Sequence, residues 1–182
     1  MNDSRPLLRV IETRRLTLVA ASEDLVEADL YDAAAFAGAL DAEVPVEWPP
    51  ELFGSTVMRA ARAQLRNPQE QGWSVWYLLQ RSAPRPVLVG MCQFKGRPDA
   101  AGSVEIAYSI LPPFRGRGFA TEAVSRLVTW AFAHQNVVRV TAETLPYLRG
   151  SIRVLEKVGM APAGAGSEYG VVRYAILKNA SR

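Results

Sequence analysis

The feature that most constrains this chain is a strand-like run that leads through a basic, glycine-rich turn into an amphipathic helix. The run covers residues 103–111 and is followed by two prolines. The turn, Arg-Gly-Arg-Gly-Phe-Ala-Thr at residues 115–121, is called the glycine turn below. After it, apolar residues recur at three- and four-residue steps, as on one face of a helix: Ala120, Ala123, Val124, Leu127, Val128 and Ala131. A strand, a tight turn and a helix in this order favour an α/β fold.

The glycine turn has the chemistry of a phosphate-binding site. The first backbone N–H groups of a helix have no partners inside the helix, and the helix dipole places partial positive charge there. Glycines let this backbone approach a ligand closely, and Arg115 and Arg117 add formal charge. A dinucleotide fingerprint is excluded because Thr121 stands at its third glycine position, and a P-loop is excluded because the turn holds no lysine. A plain basic surface turn is the alternative.

Composition argues against several other classes of protein. The 182 residues suit one domain, and 49% of them are apolar, which is enough for a sizeable core. The net charge of +3 comes from scattered arginines rather than a basic tract, so nucleic-acid binding is disfavoured. One cysteine, Cys92, and one histidine, His134, are too few for a zinc site. Without a long apolar run or an apolar leader, we expect a soluble, cytoplasmic protein with neither a metal nor a membrane partner.

Periodicity along the rest of the chain predicts a mixed sheet with helices. Strands are predicted at residues 15–20, 72–80, 87–94, 103–111, 136–144 and 169–177. Helices are predicted at residues 22–40, 51–67, 120–131 and 151–158, and a Pro/Gly loop at 161–168. Short links favour an antiparallel meander of the second, third and fourth strands, and the helix after the fourth favours a parallel pair with the fifth. Gly90 indicates a bulge or a close backbone approach.

Two stretches together resemble one known family. The first is residues 104–123, which hold R-x-x-G-x-A at Arg115, Gly118 and Ala120, and the second is residues 142–160. Over residues 12–178 the chain resembles the GNAT N-acetyltransferases, in their RimJ/RimL-like branch. The resemblance implies a single domain over 1–182. It also implies a mostly antiparallel, twisted α/β sheet of six to seven strands, with helices on both faces and a splayed parallel strand pair.

The same resemblance implies acetyl-CoA as co-substrate and direct transfer of acetyl from the thioester to a primary amine. A protein or peptide α-amine is the first acceptor class; a small amine and a catalytically silent acyl-CoA-binding module are the alternatives. A homodimer is one oligomeric state left open. The implied cofactor-binding residues are the end of one strand and the glycine turn: Ser109, Ile110, Leu111, Arg115, Gly116, Arg117, Gly118, Phe119, Ala120 and Thr121.

Glu105 is the candidate general base. Strand alternation places it on one face with Ser103, Ala107 and Ser109. The opposite, apolar face holds Val104, Ile106, Tyr108 and Ile110. A carboxylate partly withdrawn from water suits a base near neutral pH, and the resemblance implies an acid at this place. The alternative is an ordinary strand ion pair. By the same resemblance Ser151 is the candidate proton donor to the thiolate, with a helix-capping role as its alternative.

Three positions leave questions open. Leu148 stands where the family usually has an asparagine that contacts CoA, and Leu155 stands where many members have a tyrosine acid. Trp48, with Glu47 and two further carboxylates nearby, offers a contact for a cationic acceptor. The favoured alternative is a loop pinned by Trp48 packing on the core.

Overall fold

The computed structural model describes residues 9–81 and 84–179 and is organised around one eight-stranded mixed sheet. Its strands are β1 (Val10–Glu12), β2 (Leu16–Ala20), β3 (Val75–Gln80), β4 (Val87–Phe94), β5 (Ser103–Ile110), β6 (Arg139–Thr144), β7 (Ala161–Ala165) and β8 (Val172–Leu177). Its α-helices are α1 (Glu23–Tyr31), α2 (Ala33–Leu40), α3 (Ser55–Leu65), α4 (Phe119–Phe132) and α5 (Arg149–Val158). The ends of the predicted domain, 1–8 and 180–182, lie outside the described residues.

The strand order confirms the predicted mixed sheet. The strands lie in the order β1-β2-β3-β4-β5-β6-β8-β7. Strands β5 and β6 are parallel, and the other neighbouring pairs in the described ranges are antiparallel. Helix α4 connects β5 to β6, because two parallel strands need a crossover where two antiparallel strands need only a turn.

Two details differ from the sequence prediction. Strands β1 and β7 bring the strand count to eight rather than six or seven. The β7 segment was predicted as loop, yet it pairs with β8 through a shift in register. The single helix predicted at 22–40 is wrong, because Asp32 divides it into α1 and α2. Asp32 has a φ of −146°, and its carboxylate accepts the amide of Ala35 at 2.9 Å, which starts a second helix.

The two faces of the sheet are covered unequally. Helices α4 and α5 pack on one face along most of its width, and the apolar cluster there includes Val104, Ile106, Val140 and Ala142. Helices α1–α3 pack on the other face over β2, β3 and β4. Among the described residues, that second cluster includes none from β5, β6 or β8. The face of these three strands on the α1–α3 side is called the open face below.

Candidate active site

The glycine turn joins β5 to α4 with the backbone geometry of an anion site. Gly116 and Gly118 have φ angles of 74° and 82°, in the left-handed region that glycine adopts at little cost. Gly118 is the N-cap of α4, and no side chain caps this helix. The first amides of α4 are therefore free for a ligand, at the positive end of the helix dipole.

Hydrogen bonds from Thr13 and Arg15, in a distant segment of the chain, hold this turn through Glu122. This network is called the brace below. The carboxylate of Glu122 accepts three bonds, from Arg15 Nε at 2.7 Å, the Arg15 amide at 2.8 Å and Thr13 Oγ1 at 2.7 Å. Arg15 Nη1 also donates to the carbonyl of Arg117 at 2.8 Å, and its guanidinium lies 4.7 Å from the ring centroid of Phe119. Burial raises the pKa of Glu122, but the bonds from Thr13 and Arg15 and the charge of Arg15 outweigh it, so the pKa lies below its ordinary value.

Sequence reasoning missed this brace, because Thr13 and Arg15 lie about a hundred residues before Glu122. The one local signal was an acidic residue in the first turn of α4. An acidic residue in the first turn of a helix indicates only a favourable interaction with the helix dipole. The structure assigns it a second task, which is to fix the position of the turn.

The two arginines of the turn have different surroundings. Arg115 Nε donates to the carbonyl of Ile110 at 2.8 Å, and Arg115 Nη2 pairs with Glu51 at 3.0 Å. Arg117 lies over the ring of Phe114 at 5.5 Å and makes no ion pair within residues 9–81 and 84–179. Arg115 therefore ties the turn to the end of β5, and Arg117 is the cation of the turn left for a ligand.

Strands β5 and β6 separate part-way along their length. Their pairing runs from Ser103 opposite Arg139 to Glu105 opposite Thr141. Both strands continue, but beyond Glu105 no described strand pairs with the β6-facing edge of β5, while its other edge stays paired with β4 through Ile110. This separation is called the splay. It leaves the β6-facing backbone N–H and C=O groups of residues 106–110 available to an extended ligand, except the Ile110 carbonyl, which accepts a hydrogen bond from Arg115 Nε.

Gly90 of β4 allows the splayed end of β5 to lie unusually close to β4. A Cβ atom here would lie 2.4 Å from the carbonyl oxygen of Ser109 and 2.8 Å from Ile110 Cδ1. The register between β3 and β4 also shifts at this point, so the predicted bulge and close approach are both confirmed. The amide of the buried Leu111 donates to Val89 at 2.9 Å. The predicted cofactor strand, Ser109 to Leu111, therefore lies beside the splay.

Glu105 lies where the splay begins, on the open face. Its carboxylate forms an ion pair with Lys95, and its side chain is 24% exposed. Thr141, its neighbour on β6, donates to the carbonyl of Val104 at 3.3 Å and closes the apex of the splay. A cavity of about 380 Å³ opens beside Glu105 and is lined in part by four cations: Lys95, Arg97, Arg139 and Arg173. A carboxylate in this position is placed to take a proton from a bound amine.

Ser151 lies on the opposite side of the sheet, in the first turn of α5. Its Oγ is 3.1 Å from the hydroxyl of Tyr108, which also donates to the Ser151 carbonyl at 3.0 Å. Burial raises the pKa of Tyr108 to about 12, so the phenol stays protonated at neutral pH. Sequence reasoning treated Tyr108 only as part of an apolar face and missed this partner.

Trp48 packs into the α1–α3 face. Its Nε1 donates to Asp29 Oδ1 at 2.6 Å, and Tyr77 donates to the other oxygen of Asp29 at 3.0 Å. The ring of Trp48 lies 5.9 Å from that of Phe36 and 6.1 Å from that of Tyr77, measured between centroids. This arrangement agrees with the favoured interpretation of Trp48 as a packing residue. Glu47 is exposed.

With this geometry established, a family model described as "Acetyltransferase (GNAT) domain" matches residues 15–161. This chain belongs to the GNAT acetyltransferase family. Among curated relatives, the uncharacterized N-acetyltransferase YjdG of Bacillus subtilis (strain 168) is 28% identical over 160 residues, which is 88% of this chain and 94% of YjdG. The uncharacterized N-acetyltransferase p20 of Bacillus licheniformis is 30% identical over 82 residues, or 45% of this chain and 46% of p20.

Solved structures share the GNAT fold with this chain. The coenzyme A complex of RimL, a ribosomal L7/L12 α-N-protein acetyltransferase, has a TM-score of 0.68 and 18% identity, over 95% of this chain and all of RimL (100%). The ribosomal-protein-S5-alanine acetyltransferase of Vibrio fischeri has a TM-score of 0.67 and 15% identity, over 94% of this chain and 97% of that one. At these identities the likeness establishes the fold. Together with the family match, it makes this chain an N-acetyltransferase of the GNAT family.

GNAT acetyltransferases use acetyl-CoA, and the residues present fit this co-substrate. The uncapped amides of α4 suit the phosphates, and the unpaired edge of β5 suits the amide-bearing pantetheine arm. Of the two departures from the family pattern, Leu148 is 45% exposed at the N-cap of α5 and brings no side-chain hydrogen bond. Leu155 is fully buried in the core against α4.

Two further observations concern the described ranges only. No group of three or more His, Cys, Asp or Glu side chains is placed to hold a metal ion. No helix there is both long enough and apolar enough to cross a bilayer. Cys92 is buried on the α4 face, and burial raises the pKa of its thiol, so it is an inert core residue.

Proposed function

We propose that this GNAT enzyme acetylates the α-amine of a protein or peptide in the cytoplasm, with Glu105 as general base. The observation that carries the proposal is the position of Glu105, at the apex of the splay and on the open face. An acetyl group delivered along the free edge of β5 and an amine arriving over the open face meet beside this carboxylate. The protein acceptor is also supported by the names of the two neighbours described above, which are acetyltransferases of ribosomal proteins.

On the cofactor side, each element has one task. The amides of Phe119, Ala120 and Thr121, with Gly116 and Gly118, bind the phosphates, and Arg117 adds charge. The β6-facing edge at the splayed end of β5, beside the predicted Ser109, Ile110 and Leu111, holds the pantetheine arm. Arg115 keeps the end of β5 in register with the turn through its bond to the Ile110 carbonyl.

The transfer itself is direct. Glu105 accepts one proton from the acceptor ammonium, and the free amine attacks the thioester carbonyl. A C–N bond forms as the C–S bond breaks, CoA leaves as the thiolate, and the nitrogen releases its second proton to solvent. A backbone N–H on the free edge of β5 stabilises the developing oxyanion. Ser151, whose hydroxyl is oriented by Tyr108, donates a hydrogen bond to the departing thiolate. Lys95 positions the Glu105 carboxylate until the ammonium replaces it in the ion pair.

Measuring thiol release from acetyl-CoA with a panel of acceptors tests the proposal. The panel pairs peptides that have a free N-terminus with the same peptides blocked at that amine, and adds polyamines and aminoglycosides as small amines. We expect turnover with free peptides and none with blocked ones. Turnover of small amines alone would assign the small-molecule alternative. Tight CoA binding without turnover of any amine would favour the silent acyl-CoA-binding module that Leu148 and Leu155 suggested.

A further inference from the structure

The open face carries more positive charge beside Glu105 than the transfer chemistry requires. A base that receives an ammonium needs negative charge, yet the cavity next to Glu105 is lined by Lys95, Arg97, Arg139 and Arg173. Two of these cations form ion pairs with carboxylates. Lys95 pairs with Glu105, and Arg173 pairs with Glu143, with Arg173 Nη2 at 2.7 Å from Glu143 Oε1.

The other two cations have no carboxylate partner in the described part of the chain. Arg139 Nε donates to the hydroxyl of Ser103 at 3.1 Å, and Arg97 Nη1 donates to the side-chain oxygen of Gln69 at 3.0 Å. These neutral contacts orient the two guanidinium groups but leave their charge uncompensated. Asp99, the remaining acid in the lining, accepts the amides of Ala101 and Ser103 at Oδ1 and forms no ion pair with a described cation of the cavity.

The strand register places Arg139 relative to the splay, and Arg97 lines the same cavity. Arg139 is opposite Ser103, and Glu105 is opposite Thr141, so Arg139 lies two residues before the apex and on the same face as Glu105. Two residues of strand span about 6.6 Å and neighbouring strands are about 4.8 Å apart. The glycine turn and the free edge of β5 lie beyond the other side of Glu105. An acceptor whose amine is at Glu105 therefore extends away from acetyl-CoA and toward Arg139 and Arg97.

We propose that the acceptor carries a carboxylate close to the amine that is acetylated, and that Arg97 and Arg139 bind this carboxylate. Arginine donates paired hydrogen bonds to a carboxylate, and such charge-assisted bonds are stronger than neutral ones. Either an acidic side chain at the second or third residue of a peptide or the α-carboxylate of an amino acid supplies this chemistry, because both lie within two residues' length of an amine. The inference rests on the proposed acetyltransferase function and narrows its acceptor.

The test uses acceptors that differ only in the carboxylate. One arm compares peptides that begin Ser-Glu with otherwise identical peptides that begin Ser-Gln, and the other compares serine with serinamide. For the correct source we expect kcat/KM to be at least about tenfold higher for the acidic member, mostly through KM. The arm that shows the difference identifies the source of the carboxylate.

Matched variants then assign the effect to the two arginines. Arg139→Gln and Arg97→Gln are each expected to lower kcat/KM for the acidic acceptor about tenfold while leaving the amide acceptor within twofold. Arg126→Gln, the same change on α4 at the opposite face of the sheet, is expected to change neither. Arg139→Glu should remove the preference and favour a peptide that begins Ser-Lys. Thermal unfolding of each variant identifies any loss that comes from misfolding.

The outcomes separate this inference from the proposed function. Equal turnover of both members of each pair, or a preference that survives both arginine substitutions, would overturn the inference and leave the acetyltransferase proposal intact. If neither arm supports turnover, the proposed acceptors are wrong. Calorimetry of the same pairs with the CoA-bound protein then decides the inference by itself, and equal affinity for the acidic and amide members rejects it.

Discussion

The glycine turn lies beyond the open end of the splay, and the cavity of the open face lies at its apex. The two regions are built in different ways. The turn is seven consecutive residues, and its glycines, its arginines and the start of α4 can all be read in one line of sequence. The open face collects Lys95, Glu105, Arg139 and Arg173 from segments that are far apart in the chain. In the proposed function, the turn binds CoA through backbone amides, whereas the open face acts on the acceptor through side chains.

This difference teaches how one fold serves two substrates. Phosphate recognition needs only a backbone shape and a helix dipole, so it tolerates few changes of conformation. Acceptor recognition depends on which side chains a sheet face presents, so it changes by substitution without loss of the fold. Changes at the turn should therefore alter CoA affinity, and changes on the open face should alter acceptor turnover.

The largest expected effect is at the turn. Gly118→Asp should weaken CoA binding at least about 100-fold, because a carboxylate at the N-cap repels the phosphates and occupies their space. Calorimetry with CoA measures the change. Gly164→Asp is the matched control, since Gly164 also has a positive φ but lies in β7, away from the turn. Wild-type affinity in Gly118→Asp would end the assignment of this turn to the phosphates.

The next effect belongs to the open face. Glu105→Gln keeps the shape of the side chain but cannot accept a proton, so kcat should fall about 100-fold or more while the CoA dissociation constant stays unchanged. Steady-state thiol release and CoA calorimetry measure the two quantities. Glu168→Gln, an exposed loop position, is the control. A loss of CoA affinity with unchanged kcat would make Glu105 a structural residue.

The brace behind the turn should show an intermediate effect. Glu122→Gln weakens its bonds to Arg15 and Thr13 and is expected to lower CoA affinity about tenfold and the free energy of unfolding by about 1–2 kcal/mol. Acceptor selectivity should not change, because the brace does not reach the open face. A Glu122→Gln protein with full CoA affinity would mean that the turn holds its shape without the brace.

The smallest effect is the contribution of Glu143, on the open face, to the pH dependence of the free energy of unfolding. Burial raises the pKa of Glu143, but bonds from Ser167 and Arg173 and the charge of Arg173 lower it from 4.5 to about 2. The folded state therefore binds this proton less readily than the unfolded state. The resulting stabilisation is complete above about pH 4.5 and is lost as the pH falls toward 2. The free energy of unfolding, measured with denaturant between pH 3 and 6, should change less with pH in Glu143→Gln than in the wild type.

Part of the site could be predicted because its signals are local or periodic. Alternation along β5 predicted the side of the sheet on which Glu105 lies, and the structure places Val104 and Ile106 on the opposite, covered face. Gly90 signalled a close approach because a side chain would meet the Ser109 carbonyl. The Arg15–Glu122 brace and the Tyr108–Ser151 pair could not be predicted, since neither residue of a pair carries a mark of its distant partner.

By itself the sequence determined the glycine turn, the order of strands β3 to β6 and the face on which the candidate base lies. These features follow from backbone preferences and from the two-residue period of a strand, both of which act over short stretches. Tertiary structure alone decided that β5 and β6 part after Glu105, and that Arg97 and Arg139 line one cavity beside it on a face that the α1–α3 cluster does not cover. Those outcomes depend on packing between segments far apart in the chain, and no local pattern records which distant side chains will become neighbours.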